Sequence, residues 1–317
     1  MTGKLNGFFA SSKLFIVAGK GGVGKTTVAS SLARLATTCG LRTLLIDVER
    51  KHGIAKAFGV DPLTYEESPL IAADPAQRTA ELVGRTITPD DALVEWLGDH
   101  GLRRLGDRMV STGLVDIIAT ATPGIRDLLV LGKVKQLVTE DSYDVVVLDT
   151  PGSGHAISFL RSPLGLAEAV RSGPIRRQSN EVLGMLQDPL RTRVVLVTLA
   201  EETPVNELVE TAYQLEETVG VALGPVVVNA LVEPVPALTD FEGSLLSVRE
   251  RRAVEKALAF ETARYQHQMF QRQRLATVLP LPQLRLPEQP GVTIDRAAIV
   301  ALAETLGHEL ASAGPSL

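Results

Sequence analysis

The chain has 317 residues, a single cysteine and a formal net charge of −5 at pH 7. One cysteine excludes a disulfide framework, and the acidic balance argues against nucleic acid as the main partner. No uncharged run reaches the ~18–20 apolar residues of a membrane span. Because the first residues also lack the apolar region of a signal peptide, we expect a cytoplasmic protein.

Short apolar runs alternate with helical patterns along the chain. The runs that predict strands are residues 14–18, 43–48, 143–148, 193–199, 225–228 and 276–281. Because they are continuously apolar, they predict a parallel sheet that is covered by helices on both faces. The expected fold class is therefore α/β, with a doubly wound, mostly parallel sheet.

The sequence predicts one domain over the whole chain, with helical insertions. No linker or repeat divides residues 1–317, and helical insertions are expected at roughly 60–140, which is mostly helical by its pattern, and 164–190. A helix of mixed charge is predicted from about 248 to 274. Its charged face is interpreted as exposed to solvent, and a nucleic-acid-binding patch is the alternative.

The first apolar run is followed by a phosphate-binding pattern. Residues 19–26, GKGGVGKT, satisfy G-x-x-x-x-G-K-[ST]. A glycine-rich loop between a strand and a helix presents backbone N–H groups and the positive end of the helix, so it binds phosphate. Lys25 is expected to reach the β and γ phosphates and the Thr26 hydroxyl to ligate Mg²⁺. Lys20 is one cation more than this pattern requires.

Carboxylates follow two other strands. Asp149 comes directly after the run 143–148, where it can hold the water shell of Mg²⁺; a helix or turn cap is the alternative. Asp47 and Glu49 lie two residues apart at the end of the run 43–48, and hence on the same side. A carboxylate there can orient an attacking water, and surface acids are the alternative.

These residues resemble those of a known family. The loop at residues 20–27, KGGVGKTT, resembles the deviant Walker A motif of the SIMIBI class of P-loop ATPases. Asp149-Thr150, followed by Gly154-His155, resembles the switch II motif of its arsenical-pump and Get (TRC) tail-anchored-protein targeting branch. Further matches are Ala57-Phe58-Gly59, Pro123-Gly124-Ile125, Asn229 and Leu279-Pro280-Leu281-Pro282. The likeness spans about residues 13 to 310.

The resemblance implies an ATPase that uses ATP and Mg²⁺ and acts as a dimer. Lys20 would reach across the dimer interface to the partner's nucleotide, as an arginine finger does; a solvated loop cation is the alternative. Lys20, Asp47 and Glu49 are the implied catalytic residues, with Thr26 and Asp149 at the metal. The implied nucleotide contacts are Gly21, Gly22, Val23, Gly24, Lys25, Thr26, Thr27, Asn229, Pro280, Leu281 and Pro282.

The chain also departs from the family's pattern. Glu49 stands where the family has a catalytic Asp, and Arg50-Lys51 replace Pro-Ala, while His52 is kept. No cysteine lies in the region of residues 231–265, so the zinc clasp of the targeting branch is not expected, and the cysteine triad of the arsenical pump is absent. An iron–sulfur reductase is excluded for the same reason.

We therefore expect a dimeric ATPase that couples nucleotide state to a client or partner. The alternative is a hydrolysis-poor regulatory subunit in a heterodimer with a paralogous ATPase, which Glu49 favours. A ParA/MinD-like positioning ATPase is disfavoured by the acidic residues 295–310. A membrane-protein client is one option, although a Met-rich groove is not evident. Apolar residues assigned to the client surface include Leu114, Ile117, Ile118, Leu128, Leu129 and Val130.

Overall fold

The computed structural model describes residues 2–48, 52–99, 124–151, 155–234, 247–291 and 293–313. In these ranges the strands are β1 (Leu14–Ala18), β2 (Thr43–Asp47), β3 (Ser68–Ile71), β4 (Leu82–Thr86), β5 (Val145–Asp149), β6 (Thr192–Leu199), β7 (Leu223–Leu231) and β8 (Gln283–Pro287). The helices are α1 (Thr2–Ala10), α2 (Lys25–Thr38), α3 (Gly53–Phe58), α4 (Pro89–Asp99), α5 (Ile125–Thr139), α6 (His155–Ala169), α7 (Pro174–Gln187), α8 (Glu202–Gln214), α9 (Val248–Val278) and α10 (Arg296–Ser312). A π-helical turn, Leu215–Val219, extends α8.

The described strands form one sheet in the order β3-β4-β2-β5-β1-β6-β7-β8. Neighbouring strands run parallel, except that β3 and β4 are antiparallel. The helices between the strands cover both faces. The predicted α/β fold, a doubly wound and mostly parallel sheet of the P-loop type, is confirmed.

Two apolar cores lie on the two faces of the sheet. Leu14 and Ile16 of β1 belong to the core that α5, α6, α7 and α8 cover. Phe15 and Val17, which alternate with them, belong to the core beneath α1, α2, α3 and α10. Burial on both faces is the reason that the central strands contain continuous apolar runs.

The prediction that residues 60–140 are mostly helical is wrong in its first half. β3 and β4 lie there, and β4 extends the sheet beside β2. The sequence of β4 does not predict a strand, because Gly84 and Arg85 interrupt its apolar residues. A Cβ at Gly84 would lie 2.8 Å from Leu70 Cδ1, and the buried Arg85 guanidinium lies 4.6 Å from the centre of the Tyr65 ring. Residues 100–123 fall outside the described ranges.

The strand predicted at residues 276–281 is also wrong. Helix α9 continues to Val278, where the N–H of Leu279 still bonds to the carbonyl of Leu275 at 2.9 Å. The strand is β8, which begins at Gln283. A short apolar run cannot by itself be distinguished from the buried end of a helix, and here the buried Leu275 continues the helix.

The carboxyl ends of the central strands lie together at one edge of the sheet. Asp149 of β5 is the register partner of Val17 in β1 and of Asp47 in β2. The loops that follow these strands therefore meet at this edge. Within the described ranges, no helix combines the length and the apolar character needed to cross a membrane.

Candidate nucleotide-binding site

The loop between β1 and α2 has a backbone that glycine adopts most readily. Gly22 and Gly24 have φ angles of 85° and 90°, in the left-handed region. A Cβ at Gly24 would lie 2.2 Å from the side-chain nitrogen of Asn229, and one at Gly19 would lie 2.3 Å from the carbonyl oxygen of Val197. The loop therefore lies directly against β6 and β7. Because it ends at the N-terminus of α2, it has the geometry of an anion-binding cradle.

The two lysines of this loop are oriented differently. Lys25 is buried, with 7% of its surface exposed, and its ammonium donates a 3.1 Å hydrogen bond to the carbonyl oxygen of Lys20. The Lys20 side chain is 43% exposed and lies against α8, where its ammonium is 2.5 Å from Glu207 Oε1. Lys25 is thus turned back over the loop, whereas Lys20 is turned away from it.

The residues predicted to hold a metal are in contact. The Thr26 hydroxyl donates a 2.6 Å hydrogen bond to Asp149 Oδ2. Asp47 lies on the adjacent strand, and both carboxylates are buried. A hydroxyl and carboxylate oxygens are the ligands that Mg²⁺ takes in phosphoryl-transfer sites. The side chains present therefore fit a magnesium ion between the phosphate loop and the end of β5.

The segments that follow β2 and β5 adjoin the same point. A Cβ at Gly53, the first residue of α3, would lie 3.0 Å from Thr26 Cγ2, so this glycine permits close approach. The Thr150 hydroxyl donates a 2.8 Å hydrogen bond to the carbonyl of Val17, which ties the start of the second loop to β1. Glu49 with Arg50 and Lys51, and residues 152–154, lie outside the described residues. The role of Glu49 stays a prediction.

Asn229 lies beside the phosphate loop. Its side-chain nitrogen donates a 3.0 Å hydrogen bond to the carbonyl of Val23. The same nitrogen is the atom that a Cβ at Gly24 would approach, so the Asn229 amide adjoins both Val23 and Gly24. Asn229 thereby connects the end of β7 to the loop.

Pro280, Leu281 and Pro282 do not lie at the same edge as Asn229, and this part of the prediction needs correction. The carbonyl of Pro282 accepts a 2.8 Å hydrogen bond from Val226, so the segment precedes β8 and adjoins the first half of β7. The segment that does lie beside the end of β7, near Asn229, is the one that follows β8. Leu231 is the register partner of Pro287, and its carbonyl accepts a 2.9 Å hydrogen bond from Glu288. The error follows from the misplaced strand at 276–281.

The long helix α9 supports both segments at this end of the sheet. The buried Gln268 side chain donates to the carbonyl of Ala230 at 3.2 Å and accepts from the N–H of Val232 at 2.9 Å. The Arg264 guanidinium donates two 2.8 Å hydrogen bonds to Glu288, and this pairing lowers the pKa of that carboxyl. Sequence reasoning missed these contacts, and also Gly53 and Glu207, because no local motif marks them.

The client surface predicted on α5 is not supported. Leu128 and Val130 are each 3% exposed and belong to the core, and Leu129 packs against that core. Leu114, Ile117 and Ile118 lie outside the described ranges. On the described part of the chain, exposed large apolar side chains are concentrated on α8 and α9: Tyr213, Val248, Phe260, Met269, Phe270 and Val278.

Comparison with known proteins gives consistent results. The profile of a family described as "Anion-transporting ATPase" matches residues 12–173. ATPase BagA of Mycobacterium tuberculosis is 30% identical over 94% of this chain and 93% of its own length. ATPase get3 of Schizosaccharomyces japonicus is 31% identical over 55% of this chain and 53% of its own. ATPase ARSA1 of Chlamydomonas reinhardtii is 34% identical over 49% of this chain and 22% of its own.

Proposed function

This chain belongs to the anion-transporting ATPase family, that of the arsenical-pump and Get ATPases, and on that premise we propose that it binds Mg²⁺-ATP between two protomers and couples nucleotide state to the binding of a client or partner in the cytoplasm. The observation that carries this proposal is the different orientation of the two lysines in one phosphate loop. Lys25 would contact the nucleotide of its own protomer, whereas the Lys20 side chain is 43% exposed and lies against α8.

The first part of the proposal is that the loop and Lys25 bind the triphosphate. Lys25 is buried against the loop, where a charge-assisted hydrogen bond to phosphate is stronger than at the surface. Thr26 and Asp149 would hold Mg²⁺, which, when bound, neutralises charge on the β and γ phosphates. We assign Asp47, on the strand beside Asp149, together with Glu49 to the orientation of water at this site.

The second part is that Lys20 acts on the nucleotide of the other protomer. Its side chain is accessible and is directed toward α8, not into its own loop. A cation supplied from a partner stabilises the charge of the phosphoryl-transfer transition state, and a protomer does not need it to bind its own nucleotide. Either a homodimer or a heterodimer with a paralogous ATPase would supply it.

The third part concerns the adenine. We assign it to Asn229 and the segment Pro287-Glu288-Gln289, in place of residues 280–282. The support is that Asn229 contacts the phosphate loop and that the segment after β8 adjoins the same end of β7. Gln268 and Arg264 of α9 would keep these two walls in place.

A second candidate function is that of a regulatory subunit with little hydrolysis of its own. The observation that favours it is Glu49 at the position where the family has a catalytic Asp. Glutamate is one methylene longer than aspartate, and displacement of a catalytic group by roughly 1 Å can cost about 10²-fold in rate. Such a subunit would bind Mg²⁺-ATP and depend on a paralogue for turnover.

Substitutions of Glu49 are expected to separate the two candidates. If Glu49 positions the attacking water, Glu49→Gln abolishes phosphate release while ATP binding persists. If the chain is a regulatory subunit, wild-type turnover is barely above background and Glu49→Asp raises it, by up to about 10²-fold. The measurements are steady-state phosphate release and nucleotide titration. Strong turnover of the wild-type protein that Glu49→Gln leaves unchanged would contradict both versions.

Chelation is expected to leave the oligomeric state of the nucleotide-free protein unchanged. With one cysteine, the chain cannot hold zinc through cysteine pairs, so the dimer must depend on apolar burial and nucleotide. A stable specific interface buries at least about 1,200 Å² in total. Sedimentation velocity with and without EDTA measures this. A nucleotide-free dimer that EDTA dissociates and only zinc restores would contradict the prediction.

The same experiment tests the proposed function. Mg²⁺ with ATPγS, a slowly hydrolysed analogue, is expected to increase the dimer fraction, and EDTA is expected to reverse that increase, because the site holds nucleotide as its magnesium complex. A protein that stays monomeric with Mg²⁺-ATPγS at every concentration would rule out a nucleotide-dependent dimer.

A further inference from the structure

Lys20 is held by a carboxylate from a distant part of the chain. Its ammonium donates to Glu207 Oε1, 187 positions away, and the Glu207 side chain is 29% exposed. While this contact persists, the ammonium is fixed at α8. A phosphate of the partner's nucleotide would compete with this carboxylate for the charge and the hydrogen bonds of the same ammonium. Use of Lys20 across the interface therefore has to weaken the contact with Glu207.

Glu207 occupies a well-anchored position on its helix. Val205 and Leu208, two residues before it and one after it, are buried in the core and fix the orientation of α8. Asn206 accepts a hydrogen bond from Arg274 of α9, which supports the same turn from the other side. Because α8 is anchored on two sides, we expect Lys20 and Glu207 to separate by movement of the Lys20 side chain or its loop, while α8 stays in place.

The partial exposure of the pair sets its strength. Ion pairs between solvent-accessible side chains shift an equilibrium by at most about fivefold, because water and salt screen them. A contact of this strength biases the position of Lys20 without fixing it permanently. Phosphate, with more charge than one carboxylate, can compete for the same ammonium.

We propose that Glu207 retains Lys20 in the separate protomer and competes with the partner's nucleotide for it, so that Glu207 sets how readily two protomers close. Glu207 is thus a positioning residue for Lys20. This inference rests on the proposed function, in which Lys20 acts across the interface.

The test is the protein concentration at which half of the chain is dimeric with Mg²⁺-ATPγS, measured by sedimentation velocity. Glu207→Gln keeps the size of the side chain and removes its charge, and is expected to lower this concentration by about 2- to 25-fold, because each dimer releases two pairs that each contribute up to about fivefold. Glu207→Asp, which keeps the charge, is expected to lie closer to wild type. Glu210→Gln, three residues further along α8 and bonded to Gln214, is the matched control and is expected to equal wild type.

A double substitution shows whether the effect passes through Lys20. In a Lys20→Ala background, Glu207→Gln is expected to change nothing, because the cation that it retains is gone. Equal values for Glu207→Gln and Glu210→Gln, weaker dimerisation of Glu207→Gln, or the same shift in the Lys20→Ala background would each overturn the inference. In those cases the wild-type protein still dimerises. If it does not dimerise with nucleotide at all, the proposed function fails, and the inference with it.

Discussion

Replacement of Lys20 by alanine is expected to abolish ATP turnover and to leave ATP binding measurable. In its own protomer the Lys20 ammonium contacts Glu207, and only its backbone carbonyl contacts Lys25. A transition-state cation supplied from a partner accounts for about 10³–10⁵ in rate. Because this contribution is largest in the transition state, the loss should be in turnover and not in the affinity of a protomer for its own nucleotide. Phosphate release and titration with a fluorescent ATP analogue measure the two separately.

Lys25→Ala is the matched comparison, and the expected result is reversed. Lys25 is buried against the loop that would hold the phosphates, so its removal should weaken binding itself. A hydrogen bond to a charged group contributes about 1.5–3 kcal/mol, which corresponds to a loss of about 10- to 150-fold in affinity. Equal losses of affinity in both variants would contradict the role of Lys20 across the interface, and so would normal turnover of Lys20→Ala.

Gly24→Ala is expected to have the second large effect, on both binding and stability. A left-handed backbone costs an alanine about 1–2 kcal/mol. The new Cβ would also lie 2.2 Å from the Asn229 side-chain nitrogen, so Asn229 must move. Loss of its buried hydrogen bond to Val23 adds about 1–3 kcal/mol. We expect ATP affinity to fall at least about 30-fold, since both the loop and the proposed adenine wall are displaced.

Gly22→Ala is the control for Gly24→Ala, because the two positions share a conformation and differ in their surroundings. Gly22 has a φ angle of 85°, yet a Cβ there would meet nothing within 4 Å. Its stability should therefore fall only by the conformational cost, about 1–2 kcal/mol. Urea unfolding of both variants gives the comparison. If Gly22→Ala were as destabilising as Gly24→Ala, the close approach to Asn229 would not be the cause.

The centre of the sheet and the phosphate loop could be predicted from the sequence. β1, β2, β5 and β6 are buried on both faces, so each contains a continuous apolar run that identifies it locally. The glycines at positions 22 and 24 likewise reflect a local need, that for a left-handed backbone. Thr26 and Asp149 were both assigned to Mg²⁺ from the sequence, and the structure has their side chains in contact.

The edge strands of the sheet and the contact partners of the site residues depend on tertiary packing and could not be predicted from the sequence. Gly84 and Arg85 are poor strand residues, and what makes them fit is Leu70 and Tyr65, which come from elsewhere in the chain. The length of α9 moves β8 beyond residue 282, and with it the segment that adjoins Asn229.

The orientation of the Lys20 side chain also depends on a tertiary contact. The loop motif determines that a lysine is present at this position, but Glu207 on α8 determines where its ammonium lies. The physical reason is general. A local pattern reports the burial and backbone angles of a residue, whereas the identity of its partner depends on which distant segments the packed core brings together.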